Sequence, residues 1–289
     1  MKLCAVVVTY YPNVSDAIKN ILQYIHYIDH LIIWENTPQK DNAKYKISIP
    51  AYENKISYMG LQKNVGISKA LNEATKYALT HGYTHLLTMD QDSEWHEFYC
   101  FKQSIPEHET AIFGPILGRF SVHKTDEHAL RTEVDHVITS GTIVPLSVLE
   151  RIGGYNEAFK IDGIDVELCY RAQTYNIKTF TLSTGYILQQ FGNAESRQFL
   201  SKTFTPFNYG PLRIQGIIKN HLLIWRSYNI STIRKKHILQ NYLIRFPVNI
   251  ILFEKQKFKK LCAYVSGIFQ GLINPKLDIT SIAKSTRKG

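Results

Sequence analysis

Residues 86–93 read Leu-Leu-Thr-Met-Asp-Gln-Asp-Ser. A short apolar run ends abruptly in two carboxylates, Asp90 and Asp92, and the run has the length and composition of a buried strand. Residues i and i+2 of a strand point to the same side, so the two carboxylates can converge on one point. In an α/β sheet that point lies in the ligand crevice beyond the carboxyl ends of the strands. Paired carboxylates there suit a hard divalent cation, Mg²⁺ or Mn²⁺, which takes oxygen ligands and often bridges a substrate diphosphate. Asp also opens turns, so the pair by itself supports either a metal–diphosphate site or a turn. A second acidic cluster, Asp162, Asp165 and Glu167, opens an apparent helix that runs to about Tyr175. Acids in a first helical turn are stabilised by the macrodipole, so capping alone could account for them.

These residues need elements to position them. Leu3–Thr9 reads as a first strand, closed by Tyr10-Tyr11-Pro12-Asn13. A helix begins near Asp16, capped by Ser15 or Asn13. Strands follow at His30–Trp34, closed by Glu35-Asn36-Thr37-Pro38, and at Ile56–Met59, with a loop-like stretch over 39–54 between them. Asn64-Val65-Gly66-Ile67-Ser68 then turns into a helix that His81-Gly82 stops, and Leu86–Met89 is the fourth strand. The β-α-β-β-α-β order predicts a parallel, doubly wound sheet. Right-handed crossovers put the loops after Thr9, Trp34, Met59 and Met89 on one edge.

The second stretch is less regular. Strands are expected at Ala111–Leu117, Asp135–Ile138, Lys178–Leu182 and Gly185–Leu188, with a polar loop over 119–133 and turns at Thr139-Ser140-Gly141-Thr142 and Gly153-Gly154-Tyr155-Asn156. From about Pro211 the character changes to helices over 212–228, 231–246 and 247–273, which interleave Ile, Leu, Phe and Tyr with Lys and Arg. The chain is therefore expected to hold an α/β body, residues 1–210, and a basic α-helical C-terminal region, residues 211–289.

Of the 289 residues 44% are apolar, which suits a folded core. Residues 1–212 hold 19 Lys and Arg against 22 Asp and Glu, a net of −3; residues 213–289 hold 15 against 2, a net of +13, and the two sum to the chain's +10. A basic segment on a near-neutral body implies an anionic partner. Helices of this kind suit the surface of an anionic membrane, or a cap packed on the domain with a solvated basic face. Cys4, Cys100, Cys169 and Cys262 have neither zinc nor disulfide spacing, and a reducing cytoplasm fits them. The opening Met1–Thr9 lacks a small-residue cleavage site and reads as a buried strand rather than a signal peptide. No window is apolar enough to span a membrane. The basic segment carries no nucleic-acid recognition motif, so nucleic acid is not an expected partner.

Taken together, Val7-Val8-Thr9-Tyr10, Asn64 through Asn72, Met89-Asp90-Gln91-Asp92-Ser93, Thr139-Ser140-Gly141, Gly153-Gly154-Tyr155-Asn156 and Ile161-Asp162 through Asp165-Val166-Glu167 to Arg171 resemble the inverting family 2 glycosyltransferases. Within these the order and spacing is most similar to bacterial rhamnosyltransferases of cell-surface polysaccharide synthesis, and Arg213 with Lys219-Asn220 resembles the same subgroup. The resemblance covers about residues 3–225. It implies a GT-A-type, Rossmann-like fold. It also implies transfer of a sugar with inversion from a nucleotide-diphosphate donor, dTDP-rhamnose or a UDP-sugar, to a saccharide or lipid-linked saccharide acceptor. Position by position, the resemblance puts Thr9 and Tyr11 at the nucleotide base, Glu35 where the family usually has Asp, and Asn64 and Gly66 in the donor pocket. Gln91 falls on the donor side, Asp90 and Asp92 at the metal, and Asp165 at the general base. Asp162, Glu167, Ser140 and Gly141 fall on the acceptor side. The family often has a metal-binding His three residues before a Gly; with Gly192 as that Gly, the position here is Gln189, a neutral and weaker ligand. A peripheral seat on the inner face of the cell membrane and a homo-oligomer are further expectations. The other readings are a transferase for a galactosyl, glucosyl or galactofuranosyl group, and a non-catalytic sugar-nucleotide-binding protein. A nucleotidyltransferase is disfavoured, because Tyr10-Tyr11-Pro12-Asn13 stands where a Gly-rich phosphate loop is needed.

Overall fold

The computed structural model describes residues 1–38, 43–60, 63–118, 130–189, 197–199, 202–204 and 206–285. The chain forms two compact units. One comprises residues 1–160, 164–189 and 279–289, and the other residues 161–163 with 190–278.

The first unit is built on a nine-stranded sheet. Its strands are β1 (Leu3–Thr9), β2 (His30–Glu35), β3 (Ile56–Met59), β4 (His85–Asp90), β5 (Ser93–His96), β6 (Ala111–Leu117), β7 (Arg131–Glu133), β8 (Thr142–Pro145) and β9 (Lys178–Gln189). They run in the order β3-β2-β1-β4-β8-β6-β9-β5, with β7 on β9. β3, β2, β1 and β4 are mutually parallel. Leu3 to Val7 are all buried, as a strand covered on both faces requires. The helices α1 (Val14–Leu22) and α2 (Ile67–Thr80) are the connections that make parallel pairing possible. Register then lines up the strand ends: Thr9 lies opposite Glu35, and Val8 opposite Asp90.

Beyond β4 the sheet departs from the all-parallel expectation. β8 pairs antiparallel with both β4 and β6, and β5 and β7 antiparallel with β9. The turn Gln91-Asp92 is too short for a crossover, so the chain reverses into β5, and α3 (Phe98–Gln103) follows. β5 joins the far edge of the sheet and puts Ser93 opposite Gln189. Two expectations are corrected here. Asp135–Ile138 forms no strand; the short strand is Arg131–Glu133 instead, and residues 119–129 of the expected loop lie outside the described residues. The two expected strands after Lys178 are one, β9, whose pairing with β6 absorbs an irregularity between Pro115 and Ile116. The helices α4 (Leu146–Ile152) and α5 (Ile164–Thr174) also belong to this unit.

The second unit holds an antiparallel strand pair, Arg197–Phe199 with Lys202–Phe204, and then helices: α6 (Pro211–Ser227), α7 (Thr232–His237), a π-helical segment Ile238–Arg245, α8 (Phe246–Phe253) and α9 (Lys257–Ile273). The break expected near residue 246 falls at Glu254–Gln256 instead. Pro247 supplies no N–H, and the widened π segment precedes it without ending the helix. Ile214, Ile218, Leu222, Phe246, Ile250 and Tyr264 form this unit's own core.

The first strand position of β4, His85, is buried with its Nδ1 against the Thr84 hydroxyl (2.8 Å). Burial pushes its pKa down to about 4 from the usual 6.5. The unfolded chain thus binds the extra proton first. The contribution of a neutral His85 to stability is complete above about pH 6.5 and is lost as pH falls toward about 4. Urea unfolding of His85→Gln is expected to flatten the stability loss across that window; an unchanged pH slope would assign it to other groups.

Candidate functional site

Four parallel strands end together; Thr9, Glu35 and Asp90 close β1, β2 and β4, and Tyr11, Asn64, Gly66 and Asp92 fall on the loops beyond the strands. The two carboxylates sit at the junction of β4 and β5. Asp90 is half-buried and Asp92 exposed. Because β5 runs back beside β9, Gln189 arrives at Asp90, and its Nε2 donates to Asp90 Oδ2 (2.7 Å). Position 189 therefore meets Asp90 through a neutral amide. Gly192 lies outside the described residues.

Two carboxylates and an amide oxygen would offer only oxygen donors, which suit Mg²⁺ or Mn²⁺ rather than a soft metal, although Gln189 turns its Nε2 toward Asp90 here. Among the described residues no cluster of three or more His, Cys, Asp or Glu side chains is built to hold a metal. A cation bound by Asp90, Asp92 and Gln189 would complete its coordination with phosphate oxygens and water, as Mg²⁺ commonly does.

Gln91 holds two loops together. Its Oε1 accepts from the Tyr10 N–H (2.7 Å) and its Nε2 donates to the Tyr10 carbonyl (3.1 Å). The buried Asn20 of α1 donates to the Gln91 carbonyl (3.3 Å). The side chain expected at the donor is thus spent on the backbone of the loop after β1. In that loop Tyr11 takes a positive φ of 46° and stays part-exposed, edge-on to Tyr10 and Tyr45. Thr9 is buried, with its hydroxyl donating to the Trp34 carbonyl (3.2 Å). Glu35 is half-buried at the end of β2. Asn64 is exposed and its Oδ1 accepts from the Gly66 N–H (3.0 Å), closing the turn into α2. Gly66 needs its φ of +86°, and a Cβ there would meet Lys160 at 3.1–3.2 Å. The Lys160 carbonyl in turn accepts from Ile67 N–H (2.9 Å), so the start of α2 fixes the chain just ahead of the second acidic cluster.

The Thr139-Ser140-Gly141 turn is bonded to both Asp90 and Asp165. The Ser140 hydroxyl accepts from Asp90 N–H (3.1 Å) and donates to Ser93 (2.7 Å), while Thr139 N–H donates to Asp165 Oδ2 (3.3 Å). Asp165 also accepts from Val166 N–H through Oδ1 (2.8 Å), in the first turn of α5, and it remains half-buried. Ser140 and Gly141, expected on the acceptor side, are both buried. Gly141 has φ +80°, and a Cβ would run into Ile187 at 2.3 Å. Glu167 likewise points inward. It is fully buried and forms a two-point ion pair with Arg171 (2.9 and 3.0 Å), whose guanidinium also donates to the Ile152 and Gly154 carbonyls. All three are buried, and Ser140 and Glu167 spend their side chains on bonds within the fold.

Asp162 belongs to the second unit. It sits at a φ of +58°, and Arg213 grips its carboxylate with two bonds (2.9 and 3.0 Å). Arg213 lies 4.1 Å from the Tyr209 ring centroid, and Asn220 donates to the Ile161 and Asp162 carbonyls (3.1 and 2.8 Å).

Sequence reasoning missed Asn36, a buried hub. It accepts from Trp34 Nε1 (3.1 Å) and Val65 N–H (3.4 Å) and donates to the Gly66 carbonyl (3.4 Å). In sequence it reads only as part of the turn Glu-Asn-Thr-Pro.

No family model matches the chain. The dTDP-rhamnosyl transferase RfbF of Shigella flexneri is 24% identical over 288 residues, covering 93% of this chain and 94% of that relative. Among solved structures, GalNAc-T7 with UDP, GalNAc and Mn²⁺ superposes with a TM-score of 0.62 at 10% identity. That match covers 100% of this chain and 54% of the other, so the chain spans about half of GalNAc-T7. S. aureus TarS 1–349 in complex with UDP-GlcNAc gives 0.54 at 14% identity, covering 93% of this chain and 82% of the other.

Ser140→Ala removes the acceptor of a part-buried Asp90 N–H. It is expected to cost about 1–3 kcal/mol, read by urea unfolding, and to weaken nucleotide-diphosphate binding in the same variant. Binding and stability both equal to the wild type would show that the turn does not hold Asp90.

Proposed function

We propose that this chain, which has the GT-A glycosyltransferase fold and resembles the family 2 enzymes, transfers a sugar from a nucleotide-diphosphate donor to a saccharide acceptor with inversion. The observation that carries the reading is the single turn, Thr139–Gly141, bonded to both Asp90 and Asp165. In this reading Asp90 marks the leaving-group side and Asp165 the acceptor side. Rhamnose on a thymidine diphosphate is the leading donor, supported by the near full-length match to RfbF; UDP-sugars are the second choice, after the ligands named in the solved neighbours.

The residues divide the work as follows. The Tyr10–Tyr11 loop, tied to the acid pair by Gln91, offers a ring edge and backbone to the base. Glu35 and Asn64 flank the ribose and diphosphate. Asp90 and Asp92, with Gln189, would hold a divalent cation, which when bound offsets charge on the diphosphate. Asp165 accepts the proton of the acceptor hydroxyl as that oxygen forms its bond to the anomeric carbon. The bond from the anomeric carbon to the diphosphate oxygen breaks in the same step, and its electron pair leaves with the nucleotide diphosphate. One displacement inverts the anomeric centre and needs no enzyme nucleophile. Asp165 is suited to the task because its two backbone bonds fix the carboxylate while leaving it half-exposed.

The acceptor in this reading is lipid-linked, with the body at residues 1–210 carrying catalysis and the basic helical region at 211–289 seating the protein on the inner face of the cell membrane.

Asp165→Asn keeps the size and one oxygen acceptor but cannot take the proton. Turnover with the matched donor and acceptor is expected to fall by about 10²–10⁴, with nucleotide affinity by calorimetry nearly unchanged. Wild-type turnover in this variant would remove Asp165 from the role of base.

A further inference from the structure

The helix α9 presents two apolar faces, and only one of them is used. Tyr264, Gly267 and Gly271 are buried against α6; a Cβ on Gly267 would meet the Gln215 carbonyl oxygen at 2.8 Å, and one on Gly271 the Leu222 Cβ at 2.7 Å. Polar bonds fix the helix in rotation. Gln215 Nε2 donates to Ser266 Oγ (2.9 Å), and Arg226 donates to the Gly271 and Asn274 carbonyls (2.9 and 2.8 Å). On the opposite face stand Phe258, Cys262, Val265, Phe269 and Leu272. Steps of three and four residues keep them in one line along the helix. Phe258 is 81% exposed, Val265 61%, Phe269 62% and Leu272 53%, and no charge interrupts the line. A contiguous apolar face of this kind marks an interaction site.

Charge decides the partner. Residues 228–277 contain nine Lys and Arg and a single acid, Glu254. That carboxylate is buried and already bonded to Lys260 (2.7 Å). Lys255, Lys257 and Lys259, all exposed, border the start of the stripe. A second copy of this chain would bring a like-charged surface to the stripe, whereas an anionic lipid surface attracts it and receives its apolar side chains. No described helix is long and apolar enough to cross a membrane, and an amphipathic segment of this composition lies in the interface plane.

We propose that α9 lies flat in the surface of an anionic bilayer, with Phe258, Val265, Phe269 and Leu272 among the acyl chains and Lys255, Lys257 and Lys259 at the lipid phosphates. The 17-residue helix would occupy about 25 Å of the interface. This deepens the lipid-linked acceptor reading above and takes its biological sense from it, but the contact stands on the second unit alone.

Flotation of the full chain with vesicles of about one third phosphatidylglycerol in phosphatidylcholine tests it, beside vesicles of phosphatidylcholine alone. The wild type is expected to float with the anionic vesicles and to be released by high salt. Phe258→Ser combined with Phe269→Ser should weaken partition by about tenfold or more, with an unchanged melting temperature, because both side chains are exposed. Nucleotide-diphosphate binding measured in parallel keeps the two proposals apart: its loss in the wild type would sink the transferase reading without touching flotation. Three results would overturn the membrane contact. The wild type could stay at the bottom with anionic vesicles, or the double variant could float as well as the wild type. Sedimentation could instead reveal a dimer that the double variant abolishes, which would give the stripe to a second copy.

Discussion

The site depends on how one tight turn is held. Thr139-Ser140-Gly141 sits between strands, buried at Ser140 and Gly141, and uses consecutive polar groups in different directions: the Thr139 N–H toward Asp165, the Ser140 hydroxyl toward Asp90 and Ser93, and the Gly141 N–H toward the Thr88 carbonyl (2.7 Å). Buried polar groups must be paired, so each of these bonds constrains the others. Gly141 is required because no side chain fits at +80° against Ile187 and Pro115. Asp90 and Asp165, far apart in sequence, are both bonded to this one turn.

Around the turn the chain uses polar side chains as struts between loops. Gln91 brackets Tyr10, Asn36 bridges β2 to the start of α2, and Asn72 exchanges bonds with Tyr155 N–H and carbonyl (2.7 and 2.8 Å). The buried Glu167–Arg171 pair does the same for the Gly153–Gly154 bend. Breaking such a pair leaves an uncompensated charge and costs about 3–5 kcal/mol, although as a pair it adds little net stability. Its value here is geometric. Loops that carry chemistry are ordinarily the less ordered part of a fold; here they are cross-braced at the strand ends.

The sequence made the parallel half of the sheet legible because its signals are local. A Val-rich run such as Leu3–Thr9 has its own period, and the Leu86–Met89 run ends at its carboxylates. The antiparallel half was harder. β5 depends on a two-residue reversal and on distant pairing with β9, neither of which leaves a periodic trace in Ser93–His96. The short strand Arg131–Glu133 is likewise set by its pairing with β9, and Asp135–Ile138 looked more strand-like by composition. Among candidate residues, type and spacing marked the pair Asp90 and Asp92, and the family resemblance singled out Asp165 within its cluster, but neither said whether a polar side chain points outward. Ser140 and Glu167 look the same in sequence whether they face an acceptor or brace a turn. Only burial and partners separate the two, and those arise from tertiary packing.

Calorimetric titration of dTDP and UDP into the wild type and Asp92→Asn, with Mn²⁺ and with chelator, tests the division of labour most directly. A donor-side acid pair predicts tight binding of at least one nucleotide diphosphate with Mn²⁺ in the wild type. That binding should fall by about tenfold or more with chelator and in the variant, since each lost ligand contact is worth roughly 1.4 kcal/mol or more. Equal affinity in all four conditions, or no binding of either nucleotide, would contradict the assignment of Asp90 and Asp92 to the diphosphate.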